Sequence, residues 1–132
     1  MTTTAPIQVA AAVICCDGCY LITRRKPGTH LEGLWEFPGG KRERGETLED
    51  CLRREVREEL GVKISEPVLF QAVRHDYPDK SVELHFFRCT IESGGSQLVE
   101  GADLKWVPVE KLGAFAFPEA DRGLVEALQK EM

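Results

Sequence analysis

The feature that most constrains the fold of this chain is a helix with a clear signal at each end, between Thr47 and Gly61. Thr47 with Asp50 three residues later has the form of a capping box, and first-turn carboxylates complement the positive end of the helix dipole. Gly61 follows Leu60 at a position where a glycine commonly ends a helix. At about 100° per residue, the apolar residues of this helix form one broad stripe: Leu48, Cys51, Leu52, Val56 and Leu60.

Three glutamates of the same helix, Glu55, Glu58 and Glu59, stand at i, i+3 and i+4 and therefore share a face. Like charges at this spacing repel by roughly a few tenths of a kcal/mol per pair. A solvated acidic surface is the usual explanation of such a run, but these glutamates overlap the edge of the apolar stripe. Carboxylates crowded at a partly buried edge have raised pKa values unless a cation balances them. A divalent metal ion with hard oxygen ligands, bound in the manner of Mg²⁺, is an economical explanation.

A glycine-rich loop precedes this helix. Pro38, Gly39 and Gly40 follow the strand-like segment LWEF, and Gly45 stands just before the helix. Glycines let the backbone approach a ligand closely and offer it amides or carbonyls. The loop does not match a P-loop, because no Gly-Lys-Ser/Thr follows it. Together with the acidic helix, it strengthens the interpretation as a metal site.

The first part of the chain predicts a β-hairpin. Residues 7–16 are small and apolar and predict a buried strand. Asp17-Gly18 is the strongest short hairpin signal, and it leads into a second strand, CYLITRR. Cys16 and Cys19 flank this turn as a C-x-x-C. A zinc ribbon would need a second pair and a redox motif would open a helix, so thiols beside a hairpin turn are the favoured interpretation.

The second part of the chain predicts more strands and a last helix. The segments PVLFQAVRH and SVELHFFRCTI are strand-like and are joined by a DYPDK turn. A polar loop over residues 92–104 precedes a short strand, KWVPV. The segment 118–132 predicts a helix with Leu124, Val125 and Leu128 on its apolar face. Strands, a helix, more strands and a helix predict an α/β (α+β) fold, with a mixed sheet between α-helices.

Bulk composition limits the possible functions. With 132 residues the chain fits one domain, spanning residues 1–132. The net charge of -5 argues against a generic binder of nucleic acid polymers or anionic membranes. A polyanionic ligand would therefore need a metal ion or local arginines to neutralise it. No apolar run approaches the roughly 20 residues that span a bilayer.

The N-terminus and the cysteines predict a cytoplasmic protein. The first ten residues, MTTTAPIQVA, lack the charged region of a secretory signal, so we expect none. The five cysteines are an odd number without framework spacing, which suits a reducing compartment.

Taken together, residues 40–62 resemble the signature of the Nudix hydrolase family, G-x5-E-x7-R-E-U-x-E-E-x-G-U with U an aliphatic residue. Its fixed positions are filled without a departure by Gly40, Glu46, Arg54, Glu55, Val56, Glu58, Glu59, Gly61 and Val62. The resemblance implies the Nudix fold and an enzyme that cleaves a nucleoside diphosphate linked to another group, with Mg²⁺ or Mn²⁺. It implies Glu55, Glu58, Glu59 and the Gly39 carbonyl as metal ligands. Arg54 would orient a glutamate and Glu46 would support the loop.

Outside this box, LITRR, a histidine and WEFPGGK resemble the MutT branch of the family, which hydrolyses nucleoside triphosphates to a monophosphate and pyrophosphate. The resemblance implies that Arg25 and His30 contact phosphate and sugar. It also implies nucleotide-site residues Glu36, Phe37, Pro38 and Gly39. Glu100 falls where that branch has a further catalytic glutamate, which would ligate metal and act as a candidate base. Which glutamate activates water stays open.

Asp121 departs from the MutT pattern, which has an asparagine that reads 8-oxoguanine at this place. Because an ionised aspartate only accepts hydrogen bonds, Asp121 favours bases that present N–H groups. The same aspartate, with GLWEF, resembles the CTP pyrophosphohydrolase relatives that act on CTP and 5-methyl-dCTP. Asp121 is equally explained as a first-turn carboxylate that complements a helix dipole. Modified and cytosine (d)NTPs, including 8-oxo-dGTP, therefore all stay possible substrates.

Two other functions stay open. One is a Nudix hydrolase of ADP-ribose or another nucleotide sugar, against which Arg25, His30 and the last helix argue. The other is a Nudix-like ligand-binding module without catalysis, although such modules usually lose box glutamates. Size and the MutT resemblance predict a monomer, and no partner protein is implied. Trp35 is predicted to belong to the core, and His75 and His85 are predicted to be structural or to lie at the surface.

Overall fold

The computed structural model describes residues 5–94 and 101–131. In chain order the strands are β1 (Ile7–Cys16), β2 (Cys19–Arg24), β3 (Trp35–Glu36), β4 (Gly39–Lys41), β5 (Val62–Ile64), β6 (Val68–Tyr77), β7 (Lys80–Cys89), β8 (Ile91–Gly94) and β9 (Leu104–Pro108). The helices are α1 (Leu48–Leu60), a 3-10 helix (Val109–Ala114) and α2 (Glu119–Lys130). No helix among the described residues has the length and apolarity needed to cross a membrane.

Strand β1 is the central strand of a mixed sheet. It pairs in parallel with β7 on one side, while on the other side its first half pairs with β4 and its end pairs with β2, both antiparallel. β2 continues the sheet to β3 and β9, and β7 continues it to β6 at the opposite edge. The apolar run of β1 suits this position because both of its faces are buried.

The predicted hairpin between β1 and β2 is confirmed. Cys16 pairs with Cys19, so the turn has two residues. Asp17 and Gly18 both have positive φ, 51° and 76°, as a turn that follows the strand twist requires. Both cysteines are free thiols, in agreement with the interpretation of thiols beside a hairpin turn.

The two helices cover opposite faces of the sheet. Successive side chains of a strand point to opposite faces, and those of β1 divide accordingly. Ala10, Ala12 and Ile14 pack with the α1 residues Cys51, Leu52 and Val56. Ala11 and Val13 lie in the cluster of the α2 residues Leu124, Val125 and Leu128. The predicted fold class, a mixed sheet between α-helices, is therefore confirmed.

Both ends of α1 are where the sequence predicts them. The Thr47 hydroxyl oxygen accepts a hydrogen bond from the Asp50 N–H at 3.0 Å. Gly61 ends the helix with φ 68°, and its N–H donates to the Arg57 carbonyl at 2.9 Å. A left-handed residue at this position satisfies carbonyls that the helix itself leaves free.

The strands after α1 differ from the prediction in two places. Tyr77 pairs with Lys80, so the turn between β6 and β7 has two residues instead of the five of DYPDK. β5 and β8 form a small separate sheet, although residues 92–94 were predicted to be loop. Such pairing is missed because β5 has only three residues, and its partner lies far along the chain.

Candidate active site

A cavity of about 910 Å³ lies against the sheet face that α2 covers. Side chains of β1 and β7, such as Val9 and Leu84, belong to its apolar lining. Glu58 and Glu59 of α1 lie on its wall together with β4, and we call this region the carboxylate end. Pro118, Ala120 and Asp121, where α2 begins, also line it, and we call that region the Asp121 end. The volume is in the range of pockets that bind small molecules.

Glu59 is the acidic residue of the carboxylate end whose titration is most altered. The residue as a whole is exposed, but protein atoms around the carboxylate limit its hydration. This desolvation, together with the negative charges of Glu36 and Glu55, raises the pKa of Glu59 to about 7. The Gly39 N–H and the charge of Lys26 act in the opposite direction. The carboxylate end therefore carries excess negative charge that a cation would relieve.

Arg54 holds the other side of the acidic helix face together. Its Nη1 donates to Glu55 at 2.8 Å, and the same atom lies 3.5 Å from a carboxylate oxygen of Glu58. Its Nη2 and Nε donate to the two oxygens of Glu46, at 2.7 and 3.1 Å. This fork, with the Glu43 N–H, lowers the pKa of Glu46 to about 2. Arg54 is thus a clamp that joins the loop before α1 to the glutamates of α1.

Two glycines of the loop are required by close contacts. A Cβ on Gly40 would lie 2.3 Å from the carboxyl carbon of Glu55, and one on Gly39 would lie 2.0 Å from the Ala10 carbonyl oxygen. The Glu55 carboxylate therefore packs directly on the backbone of β4. A side chain at Gly40 would displace the loop from the helix, and one at Gly39 would displace it from β1.

The Asp121 end combines three charged residues from separate elements. Arg25 donates through Nη1 to Glu36 at 2.8 Å and through Nε to the His30 carbonyl. Asp121 is only 5% exposed, and its carboxylate has no hydrogen bond within the part of the chain described. Burial and the charge of Glu36 raise the pKa of Asp121 to about 7, against the effect of Arg25. Burial likewise raises the pKa of Glu36.

The structure brings most of the predicted site residues to one cavity. Its lining includes Arg25, His30, Glu36, Phe37, Gly39, Glu58, Glu59 and Asp121. Arg54 and Glu55 lie behind the β4 segment instead. Trp35 is 8% exposed and belongs to the core, as predicted. Glu100 lies outside the described residues.

Pro38 is a correction to the predicted set. Its side chain is fully buried and does not line the cavity. Its carbonyl accepts a hydrogen bond from the Ala12 N–H at 2.7 Å. Pro38 therefore fixes the loop to β1. Its neighbours in the loop, and not its own ring, face the cavity.

Sequence reasoning missed several residues of the cavity. Lys26, Lys41 and Lys80 all line it, as does Tyr77, whose ring meets that of His30 edge-on at 5.0 Å. Burial and then the charge of Lys80 are the largest causes that lower the pKa of His30. One available signal was the Pro-Gly turn directly after Lys26, which holds that lysine at a loop entrance.

The carboxylates suit a divalent ion in an open site. Within residues 5–94 and 101–131, no three His, Cys, Asp or Glu side chains converge as a preformed metal cage. Glu55 faces Arg54, whereas Glu59 faces the cavity. The available donors are hard oxygens with a surplus of negative charge, which fits an ion that takes few protein ligands and keeps water or phosphate oxygens.

The comparison with protein families decides the identity of the fold. A family model described as "NUDIX domain" matches residues 9–127. The chain belongs to the Nudix family. The Nudix resemblance of residues 40–62 is therefore confirmed, and the match extends far beyond that box. The chain is a Nudix hydrolase of the MutT-like type, and enzymes of this family use a divalent metal ion.

Curated Nudix relatives have two kinds of name. The chain is 32% identical over 125 residues to the "8-oxo-dGTP diphosphatase" of Escherichia coli K12, covering 94% of this chain and 97% of that protein. It is 33% identical over 121 residues to the "CTP pyrophosphohydrolase" of the same organism, covering 92% and 90%. Both alignments span nearly whole proteins, so the Asp121 end is included in them.

Solved Nudix structures agree with the architecture. The MutT protein from Methanosarcina mazei Go1 aligns with a TM-score of 0.80 at 27% identity, over 98% of each chain. A MutT structure from work on Aliivibrio salmonicida and Vibrio cholerae aligns with a TM-score of 0.75 at 29% identity, over 96% of this chain and 98% of that one.

Proposed function

We propose that this Nudix hydrolase is a Mg²⁺-dependent pyrophosphohydrolase that converts a nucleoside triphosphate and water to a nucleoside monophosphate and pyrophosphate. Its substrates are modified or cytosine (d)NTPs, such as CTP, 5-methyl-dCTP or 8-oxo-dGTP. The observation that carries this proposal is one cavity with carboxylates at one end and the buried, unpartnered Asp121 at the other. The names of the curated relatives support it.

The metal ligands we assign are Glu55, Glu58, Glu59, the Gly39 carbonyl and Glu100. Mg²⁺, for which Mn²⁺ substitutes, neutralises phosphate charge and orients the phosphate chain when bound. The crowding that raises the pKa of Glu59 supports this assignment, because repulsion among carboxylates is what a bound cation offsets.

The protein groups have distinct tasks in the proposed reaction. Arg54 keeps the Glu55 carboxylate against β4. A carboxylate, that of Glu100 or of a glutamate in the 40–62 box, takes a proton from water, whose oxygen attacks the β-phosphorus. The bond from the β-phosphorus to the oxygen that bridges it to the α-phosphorus breaks. This oxygen leaves with the monophosphate, and the β- and γ-phosphates leave as pyrophosphate. Arg25 and His30 contact phosphate and sugar, and Glu36, Phe37 and Gly39 border the nucleotide.

Asp121 is our candidate for base selection. Ionised, its carboxylate only accepts, and it favours the amino group of cytosine or the N–H edge of guanine. Protonated, it also donates, as an asparagine does. With a pKa of about 7, Asp121 is mostly ionised at pH 8 to 9, so we expect bases that present an N–H group to be preferred there, among them cytosine through its amino group.

The test is a pyrophosphate-release panel with Mg²⁺ at pH 8 to 9, read as kcat/KM. It compares CTP, dCTP, 5-methyl-dCTP, dGTP, 8-oxo-dGTP and ADP-ribose. A cytosine preference supports Asp121 as an acceptor, and an 8-oxo-dGTP preference means that Asp121 is protonated or turned aside. Turnover of ADP-ribose alone favours a nucleotide-sugar hydrolase, and binding without turnover favours a ligand-binding module.

The proposed setting is a cytoplasmic monomer that acts on free nucleotides, without a nucleic acid polymer or a membrane. All five cysteines are free, which is compatible with a reducing compartment. A single peak of about 15 kDa in size-exclusion chromatography with light scattering is expected from the chain mass of 14.8 kDa.

A further inference from the structure

Three thiols surround the turn of the first hairpin, and none of them lines the cavity of the candidate active site. Cys15 and Cys16 end β1, Cys19 begins β2, and all three are free. Cys16 is exposed, and the other two are half-buried. The remaining cysteines of the chain, Cys51 and Cys89, are buried in the core. The hairpin turn is therefore where thiols are open to solvent.

The strand register places two of these thiols opposite each other. Cys16 pairs with Cys19 across the two-residue turn, so their side chains project from the same face of the sheet. Cys15 pairs with Tyr20 instead. Since neighbouring residues of a strand point to opposite faces, the Cys15 side chain is directed away from the other two thiols. Cys16 and Cys19 are therefore the pair that the fold brings together.

The separation of opposite strand residues permits a disulfide with some strain. Residues that flank a two-residue turn form a hydrogen-bonded pair, whose Cα atoms lie about 5.5 Å apart. This is within the range of roughly 4.4–6.8 Å that disulfides span. The Cβ atoms of such a pair lie about 4.5–5.5 Å apart, whereas a disulfide brings them to about 3.8 Å. Strained and exposed disulfides are the ones that small thiols reduce readily.

Asp17, the first residue of the turn, restrains the reactivity of Cys16. The Cys16 thiol donates to the Asp17 carboxylate at 3.8 Å. The negative charge of Asp17 is the largest cause that raises the pKa of the Cys16 thiol, followed by burial. Because the thiolate is the reactive form, Cys16 reacts more slowly at neutral pH than an ordinary thiol. The pair therefore stays reduced until an oxidant is present.

We propose that Cys16 and Cys19 are a reversible redox site, which a peroxide oxidises to a disulfide and a small thiol such as glutathione reduces. The sulfur of the exposed Cys16 attacks one peroxide oxygen, the O–O bond breaks, and a sulfenic acid and water form. The Cys19 sulfur then attacks the Cys16 sulfur, the S–O bond breaks, and a second water leaves. The two thiols together lose two electrons and two protons, which hydrogen peroxide accepts. Two glutathione molecules supply the same number to restore the thiols. This inference does not depend on the proposed function.

The experiment treats the reduced full-length chain with hydrogen peroxide, blocks the remaining thiols with N-ethylmaleimide and maps the tryptic peptides by mass spectrometry. The first cut falls after Arg24, so residues 1–24 give one peptide with three cysteines. We expect this peptide to change from three maleimide groups to one, with the loss of two hydrogens that a disulfide causes. Millimolar glutathione should restore all three maleimide groups.

Three variants test which thiols pair and what restrains them. Cys15→Ser keeps the opposed pair and should still form the disulfide. Cys19→Ser removes one partner and should form no disulfide within the peptide. Asp17→Asn keeps a turn sequence that suits the hairpin and removes the charge next to Cys16. It should be oxidised at least about twofold faster than wild type.

Each outcome has a defined meaning. A bond between Cys16 and Cys19 that glutathione reverses supports the inference. It is overturned if all three thiols still react with maleimide, if Cys16 is oxidised to a sulfinic acid instead, or if a disulfide resists glutathione. Loss of the bond in Cys15→Ser would also overturn it, since Cys15 would then be a partner. The wild-type peptide decides the main outcome, so the test stands even if a variant fails to fold.

Discussion

The two ends of the cavity are built in different ways. At the carboxylate end, short-range interactions organise the acidic residues: Arg54 bonds to Glu55 next to it and to Glu46 eight residues earlier. At the Asp121 end, Arg25, Glu36 and Asp121 come from β2's exit, β3 and α2. The pKa of a carboxylate follows its partner: beside Arg54 the pKa of Glu46 falls to about 2. The pKa of Glu59 at the carboxylate end and that of Asp121 both rise to about 7, since neither accepts a hydrogen bond from an arginine among the described residues.

The difference teaches what each end is suited to do. A carboxylate paired with an arginine fork, as Glu46 is, stays ionised, so it can serve as a permanent structural charge. A buried carboxylate without a hydrogen bond can exist in either protonation state near neutral pH. We therefore assign catalysis at all substrates to the carboxylate end and discrimination between bases to the Asp121 end.

The largest expected effect is at the carboxylate end. Glu59→Gln should lower kcat by about 10³-fold or more, because a ligand that stabilises transition-state charge is lost. The loss should be similar for every triphosphate, with an unchanged circular dichroism spectrum. Glu66→Gln, at an exposed partner of Arg53, is the matched control. A near-wild-type rate of Glu59→Gln would remove this residue from the metal site.

Substitution of Arg54, which bonds to Glu46 and Glu55, should give the next largest effect. Arg54→Lys keeps the charge but loses the fork that bonds to both oxygens of Glu46. We expect kcat to fall about 100-fold through misplacement of Glu55. Steady-state kinetics with CTP measures this. If KM alone rises, Arg54 contacts substrate instead of positioning a glutamate.

A substitution at the Asp121 end should change the ratio of kcat/KM between two nucleotides and not the overall rate. Asp121→Asn makes the side chain a donor as well as an acceptor. We expect the preference for CTP over 8-oxo-dGTP to fall about tenfold, within the range of base-edge discrimination. Competition between the two nucleotides in one reaction measures the ratio directly. A uniform loss on both would assign Asp121 to the helix dipole or to folding.

The last expected effect concerns stability and not activity. Because the folded pKa of Asp121 is raised from 3.8 to about 7, the unfolded chain loses this proton first as pH rises. The free energy of unfolding should therefore decrease between pH 4 and 7, by up to about 1.4 kcal/mol per pH unit.

Urea unfolding of wild type and Asp121→Asn at pH 5 and at pH 7.5 measures this contribution. The difference between the two proteins isolates Asp121 from the other groups that titrate in this range. We expect the variant to gain stability relative to wild type at the higher pH. A constant difference would mean that the folded pKa of Asp121 is ordinary.

Much of the carboxylate end was predictable because its interactions are local. Arg54, Glu55 and Glu58 lie within one turn of a helix whose two ends carry their own signals. By contrast, the burial of the Pro38 side chain in the core was not predictable. Whether the side chain of a loop residue faces a ligand or the core depends on a strand far from it in sequence, here β1.

The sequence by itself determined the limits of α1, the hairpin at Asp17-Gly18 and the Nudix family, since these depend on residues a few positions apart. Only the tertiary structure decided the pairing of β5 with β8, the lysines that line the cavity and the altered pKa of Asp121. Each of these depends on which distant atoms exclude water or supply a partner. Burial and long-range charge are properties of the folded surroundings, and no short segment encodes them.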